Sequence, residues 1–249
     1  MVPQESDHSK DSGFVLDPDT FKRFNHSSIT VGPITSASGS VSVKVGDTSV
    51  ICAIKAELAE PAPTLPYQGY LVPNVDLPAL CASHFRPGPP CELAQSISTF
   101  LNNIISRSRK SPVLLPGKVV WVLYADIVCL NYAGNIFDAS VDALMAALCN
   151  VKLPEVTISD ESAPVINNLP AKPLKLNRIL ISSTFAIFDG QTLLADPTHE
   201  EEPLVSSTVT IVVDDKDCIC AIHKPGGVSI TKAVIDECLT LAKSAHHHL

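Results

Sequence analysis

The chain has 249 residues, 45% of them hydrophobic and 18% charged, with a mean hydropathy of +0.22 and a formal net charge of −8. That balance excludes a disordered chain, and the acidic excess excludes a nucleic-acid binder that works alone through a broadly basic surface. The apolar content exceeds what a lone monomer needs and points to permanent partners. No apolar run reaches the length of a bilayer span and the N-terminus is polar, so a soluble, intracellular protein with no membrane partner is expected.

Residues 1–24 form a polar N-terminal segment in which Asp17-Pro18-Asp19-Thr20 can start a short helix through Phe21–Phe24. Strands are predicted at Ile29–Ile34, Ser40–Val45 and Ser49–Glu57, with Gly39 and the hairpin pair Gly46-Asp47 at the turns. Glu60 to Pro90 is a proline-rich, irregular excursion with room for a brief strand at Leu71–Val75. From Cys91 to Arg109, apolar residues at Leu93, Ile97, Phe100, Leu101, Ile104 and Ile105 make a helical stripe. Its basic end, Arg107, Arg109 and Lys110, complements the negative helix terminus and reads most simply as a solvated end.

The chain is organised around residues 117–154. Lys118 to Leu130 is β-branched and aromatic with little charge, which predicts a long strand covered on both faces. Ala133-Gly134-Asn135 is a turn signal, after which Asp138 or Ser140 can cap a helix of small residues ending near Asn150. A strand feeding a helix through a short turn leaves backbone N–H groups free at the helix start, a natural place for an anion.

Pro154 to Lys175 is polar and proline-punctuated, with a short strand expected at Val156–Ile158. Strands follow at Ile179–Phe188, Thr192–Ala195, Val205–Val213 and Cys218–His223, and an amphipathic helix at Ser229–Ser244 closes the chain. The organisation expected is a first half at 25–153, a linker at 154–178, a second half at 179–245 and a frayed tail at 246–249. Each half runs strands then helices, an α+β pattern occurring twice, and layers with a shared sheet and one continuous core would fit it.

The cysteines are Cys52, Cys81, Cys91, Cys129, Cys149, Cys218, Cys220 and Cys238, most of them inside apolar runs. They read as reduced, buried, structural thiols in a reducing compartment, with metal and disulfide readings as the alternatives. Cys218 and Cys220 lack a second ligand pair at zinc-finger spacing, and the histidines 246–248 read as a chain end, so no metal and no cofactor is expected. No phosphate-binding loop, dinucleotide fingerprint or serine elbow is present.

Several segments carry a family resemblance together. They are Gly39-Ser40 through Gly46-Asp47-Thr48-Ser49-Val50-Ile51-Cys52, Val72-Pro73-Asn74-Val75-Asp76-Leu77-Pro78, and Phe85-Arg86-Pro87-Gly88-Pro89-Pro90. Then come Trp121-Val122-Leu123-Tyr124, Gly134-Asn135-Ile136-Phe137-Asp138-Ala139, Asp196-Pro197-Thr198 with Glu200-Glu201-Glu202, and His223-Lys224-Pro225-Gly226-Gly227. In one collinear order over residues 29–243, the set resembles the RNase PH family, and within it the non-catalytic ring subunits of the eukaryotic RNA exosome. The resemblance implies an RNase PH-type α+β fold with two similar strand-then-helix halves packed as one domain. It also implies an obligate heterodimer with another RNase PH-like subunit inside a six-member ring, exosome cap proteins on one face, and RNA through the central channel. The function implied is structural support of 3′-to-5′ RNA processing and degradation, ribosomal RNA included, in nucleus, nucleolus and cytoplasm; an active phosphate-dependent exoribonuclease is the alternative.

Active members of the family hold phosphate with arginines and place an aspartate near the attacking oxygen. On the resemblance, their Asp-Gly-Gly-Thr-Arg turn falls at Ala133-Gly134-Asn135-Ile136-Phe137, so Phe137 stands where the phosphate-binding arginine would be. A basic pair falls at Cys91 and Glu92. A phosphate would thereby lose charge-assisted hydrogen bonds worth about 1.5–3 kcal/mol each. The catalytic aspartate falls near Asp189, which lies seven residues before Asp196, one more than in active relatives, and one residue turns a strand side chain to the other face. Arg86, beside the Pro-Gly-Pro turn, is the candidate RNA contact; a surface arginine supporting its loop is the plainer alternative. An Arg-Pro-Asp-Gly-Arg segment usual in relatives is missing, since Phe21-Lys22-Arg23-Phe24 leads to Ile29 through only Asn25-His26-Ser27-Ser28.

Overall fold

The computed structural model describes residues 24–63, 69–107, 113–115, 119–157, 165–166, 171–188 and 192–246. Two sheets are separated by helices, with a third helix behind the second sheet. The first sheet contains β1 (Ser27–Val31), β2 (Gly39–Val45), β3 (Thr48–Ala59), β4 (Tyr70–Asp76), β5 (Val113–Leu115) and β6 (Val119–Asn131). Its order is β1-β2-β3-β6-β4, with β5 also pairing β6; β4 runs parallel to β6 and the other pairs are antiparallel. Alternation along the strands aligns Val41, Cys52 and Ile127 across three of them on the buried face, and Val43, Val50 and Cys129 beside them.

Helix α1 (Glu92–Arg107) packs on β4, and α2 (Ile136–Asn150) packs on β2 and β3. Helix α2 is buried around most of its circumference, through Ile136, Ala139, Val141, Ala143, Leu144, Met145, Ala147 and Leu148. Apolar residues on all sides are what a helix needs when a sheet lies on each side of it, and the alanines let both sheets come close.

Short ladders follow: β7 (Lys152–Leu153) pairs with β10 (Lys172–Pro173), and β8 (Val156–Thr157) with β9 (Val165–Ile166). The second sheet, β12-β11-β13-β14, is built from β11 (Leu180–Phe188), β12 (Thr192–Ala195), β13 (Ser207–Asp214) and β14 (Ile219–His223). Its inner face joins the main core through Leu180 and Val212. Its outer face, Phe185, Ile187, Ile211 and Val213, forms a second core with Val234, Cys238 and Ala242 of α3 (Lys232–His246). Among the described residues no helix is long and apolar enough to cross a membrane.

Four expectations are corrected. The halves do not share a sheet: two sheets face each other across α1 and α2, giving two cores. Strand β6 is covered on both faces only at Val120–Leu123; beyond it Tyr124, Asp126 and Leu130 are exposed, because the helices cover a single face there. Helix α2 begins at Ile136, with Asn135 rather than Asp138 or Ser140 at the cap position. No disulfide forms among the described residues, yet only Cys52, Cys81, Cys129 and Cys238 are buried; Cys149 and Cys218 are exposed. Burial pushes the Cys52 and Cys238 thiols up to about 12, so these remain protonated and inert. Strand β4 is longer than expected and tolerates Pro73 because it lies at a sheet edge. The helix expected at Phe21–Phe24 lies outside the described residues, save Phe24 itself, whose ring meets Phe185 edge-on at 5.8 Å.

Candidate functional site

The turn between β6 and α2 lies under the loop that joins β12 to β13. Gly134 has φ +107, and a Cβ there would come within 2.5 Å of the His199 nitrogen and 2.6 Å of the Pro197 carbonyl oxygen. Only glycine allows both the conformation and that approach. The His199 N–H donates to the Ala133 carbonyl at 2.9 Å, while the Thr48 hydroxyl accepts from the Ala133 N–H at 3.0 Å and donates to the Gly134 carbonyl at 2.6 Å. Two distant segments therefore hold one turn in place.

Asn135 takes the left-handed conformation, φ 44, and makes no side-chain cap bond to the helix backbone. Its N–H donates instead to Oε1 of Glu202 at 3.0 Å, and the Tyr132 hydroxyl donates to Oε2 of the same carboxylate at 2.6 Å. Burial, with the Glu202 charge beside it, pushes the Tyr132 hydroxyl well above its ordinary range, so Tyr132 stays a donor. The backbone donor at this helix start is thus taken by a carboxylate of the chain itself.

The Asn135 side chain bridges two buried acids, its Nδ2 donating to Asp138 Oδ2 at 2.7 Å and to Asp196 Oδ1. Asp138 also accepts the Thr184 N–H at 2.7 Å and the Thr184 hydroxyl at 2.9 Å, tying α2 to β11. Asp196, itself at φ 56, accepts the Asn25 N–H at 2.9 Å. Burial raises Asp138 to about 6; the Asp196 charge adds to the rise, and the donors from Asn135 and Thr184 limit it. A cavity of about 840 Å³ opens beside this network, lined by Lys44, Thr48, Asn135, Asp196, His199 and Glu200 among others.

Of the residues singled out from the sequence, Ala133, Gly134 and Asp196 line this cavity. Phe137 does not: its ring packs against Phe100 at 5.6 Å and His223 at 5.3 Å. Cys91 is half-buried against the main core, Glu92 opens α1 in solvent, and Arg86 is exposed on the β4–α1 loop. Asp189 lies outside the described residues. Sequence reasoning missed the roles of Glu202, Thr48, Tyr132, Asn135 and Thr184; Thr48, Asn135 and Glu202 sit inside segments that carry the resemblance, but nothing local says that they meet. Among the described residues no three His, Cys, Asp or Glu side chains come together so as to hold a metal ion.

Two sheet-and-helix units that meet at this turn define a class. Residues 24–154 match the model of domain 1 of the 3′ exoribonuclease family and residues 178–245 that of its domain 2; the chain belongs to this family. Among its relatives, the exosome complex component rrp43 of Schizosaccharomyces pombe is 40% identical over 216 residues, covering 85% of this chain and 80% of that protein. The exosome complex component Rrp42 of Methanothermobacter thermautotrophicus is 32% identical, covering 91% and 84%. A solved structure described as the Archaeoglobus fulgidus exosome with RNA bound to the active site matches with a TM-score of 0.77 and 30% identity over 92% of this chain and 88% of that one. Rice Rrp46, at TM-score 0.67 and 14% identity over 94% and 93%, shares the fold.

Proposed function

We propose that this chain is a non-catalytic structural subunit of an RNA exosome ring, supporting 3′-to-5′ RNA processing and degradation by helping to form the channel through which RNA is threaded. The observation that carries the inactive reading is the Glu202 carboxylate on the Asn135 N–H and the Tyr132 hydroxyl. A phosphate approaching that turn meets a resident anion backed by Asp138 and Asp196, and the resemblance puts Phe137, Cys91 and Glu92 where active relatives have cations. Repulsion replaces the charge-assisted bonds that phosphorolysis needs.

The ring role draws on the relatives' names and on open sheet edges. Strand β1 exposes Ile29 and Val31, and β14 exposes Ile219 and Ile222. Unpaired edges bearing apolar side chains are what a permanent neighbour covers. In this reading the partners are other RNase PH-like ring subunits in an obligate heterodimer, cap proteins and RNA in the channel, and the locations are nucleus, nucleolus and cytoplasm; the likeness to a eukaryotic exosome component supports it. Size measurement tests this: the chain alone should aggregate or give a species that dissolves into a stable 1:1 complex when a second RNase PH-like subunit is added. The assembled ring should release no nucleoside diphosphates from RNA through this subunit, and Asp189→Asn should leave RNA decay unchanged. A monomer indifferent to the partner, or a large loss of phosphate-dependent decay on Asp189→Asn, would overturn the reading.

A further inference from the structure

Three segments that meet around the Gly134 turn also carry aromatic rings, and two of those rings reach solvent. His84, from the β4–α1 loop, lies parallel to His199, from the β12–β13 loop, with centroids 4.9 Å apart and planes 9° apart. Tyr132 stands edge-on to both, at 5.5 Å and 5.2 Å. Phe85 backs the group at 5.4 Å from Tyr132 and 4.1 Å from His84. The supporting pair is anchored: Phe85 is buried, and Tyr132 is fixed by its hydroxyl on Glu202 and by its N–H on the Cys81 carbonyl at 3.1 Å. The His199 backbone is pinned to Ala133. Both histidines are exposed, their imidazoles stack on one another, and His199 also lines the cavity, so the stack stands at its rim.

Such an arrangement suits a flat, unpaired ring. Stacking needs no charge, orders little that is not already ordered, and accepts any base because every base has a π-face. The adjoining cavity disfavours a polyanionic backbone, since its lining sets Asp47, Asp196 and Glu200 against the single lysine Lys44. Arg86, exposed two residues after His84, supplies a cation on the same loop for a backbone that stays outside. We infer that His84 and His199 form a nucleobase platform, on which an unpaired base of single-stranded RNA extends the imidazole stack while its ribose-phosphate backbone remains outside the acidic cavity. This rests on the ring-subunit reading for the presence of RNA, but not for the geometry of the stack.

The test uses the full chain, free and in complex with its RNase PH-like partner, titrated with a short oligoadenylate and with an abasic ribose-phosphate oligomer of equal length and charge. Wild type should prefer the oligoadenylate. His199→Ala and His84→Ala should each lower oligoadenylate affinity about five- to tenfold, the scale of one lost stacked base, with abasic binding little changed. His199→Phe should keep the preference, which a role in charge or hydrogen bonding would not allow. Thermal unfolding of each variant separates a lost platform from a lost fold, and His199→Phe decides the matter if the alanine variants are unstable. Equal affinity of wild type for the two oligomers, or His199→Phe falling as far as His199→Ala, would overturn the platform. Failure of the wild-type chain to join a ring partner would overturn the ring reading instead, and base preference on the free chain would still decide the platform.

Discussion

Glu202 accepts the Asn135 N–H and the Tyr132 hydroxyl, so these donors at the Gly134 turn are satisfied from within. Removing that carboxylate by Glu202→Ala leaves two partly buried donors without an acceptor, at a cost of about 1–3 kcal/mol. The vacated donors should then accept an external anion. We expect the melting temperature of Glu202→Ala to rise with added phosphate, by mass action on the folded state, while wild type responds no more than to chloride at equal ionic strength; matching responses would show that Glu202 does not fill an anion site. Restoring the arginine that the resemblance implies should fail for a separate reason. Phe137 packs on Phe100 and His223, away from the cavity. Phe137→Arg should therefore lower stability by about 1–3 kcal/mol, and calorimetric titration should find no gain in phosphate binding; a gain would mean that the arginine reaches the turn.

Helix α2 starts without the side-chain cap that Asp138 or Ser140 would have supplied. Asp138 is committed elsewhere, its carboxylate joining the helix to Thr184 on β11. One turn further on, Asp142 is raised to about 8, first by burial and then by the charges of Asp138 and Asp196. Both acids titrate above the ordinary carboxylate value in the folded chain. Their protonated forms favour folding, so this stability is present below about pH 4 and is lost as pH rises through their folded values of about 6 and 8. Asp214 acts in the opposite sense: burial would raise it, but the Cys218 and Lys216 N–H groups and Arg178 hold it low, so its contribution is lost on acidification. Asp142→Asn, which removes one charge from the row, should raise the melting temperature by about 2–4 °C at pH 8.5, the shift expected for 1 kcal/mol in a chain of this size. The gap to wild type should close by pH 4. A constant gap across that range would mean that Asp142 is ionised at no cost.

At the scale of the whole molecule, the two halves are joined where the β12–β13 loop lies on the Gly134 turn. A methyl group at Gly134 would push on the His199 and Pro197 backbone and force a strained φ. Gly134→Ala should therefore destabilise the chain by more than about 2 kcal/mol and displace the loop that carries Glu202 and His199. Urea unfolding measures the first effect, and loss of amide exchange protection at Asn135 and His199 the second. Unchanged stability would place the loop further from the turn than the hydrogen bonds indicate.

Local patterning made much of this architecture legible. The uninterrupted apolar run of β6, the small apolar residues of α2 and the turn glycine between them are properties of neighbouring residues, and they predicted strand, turn and helix within a few positions. The ordered motifs carried the family, because such a set survives only on one fold. Partners distant in sequence were not legible. Asn135 meets a carboxylate 67 residues away, Asp138 a threonine 46 residues away, and β4 becomes a full parallel strand only because β6 receives it. The two-sheet arrangement was equally hidden, since strand periodicity states which face is buried but not which layer buries it. The sequence alone determined the main elements and their order; the tertiary structure decided that a distant glutamate fills the turn and that two histidines stack beside it, because those contacts are set by how the layers dock and not by any local preference.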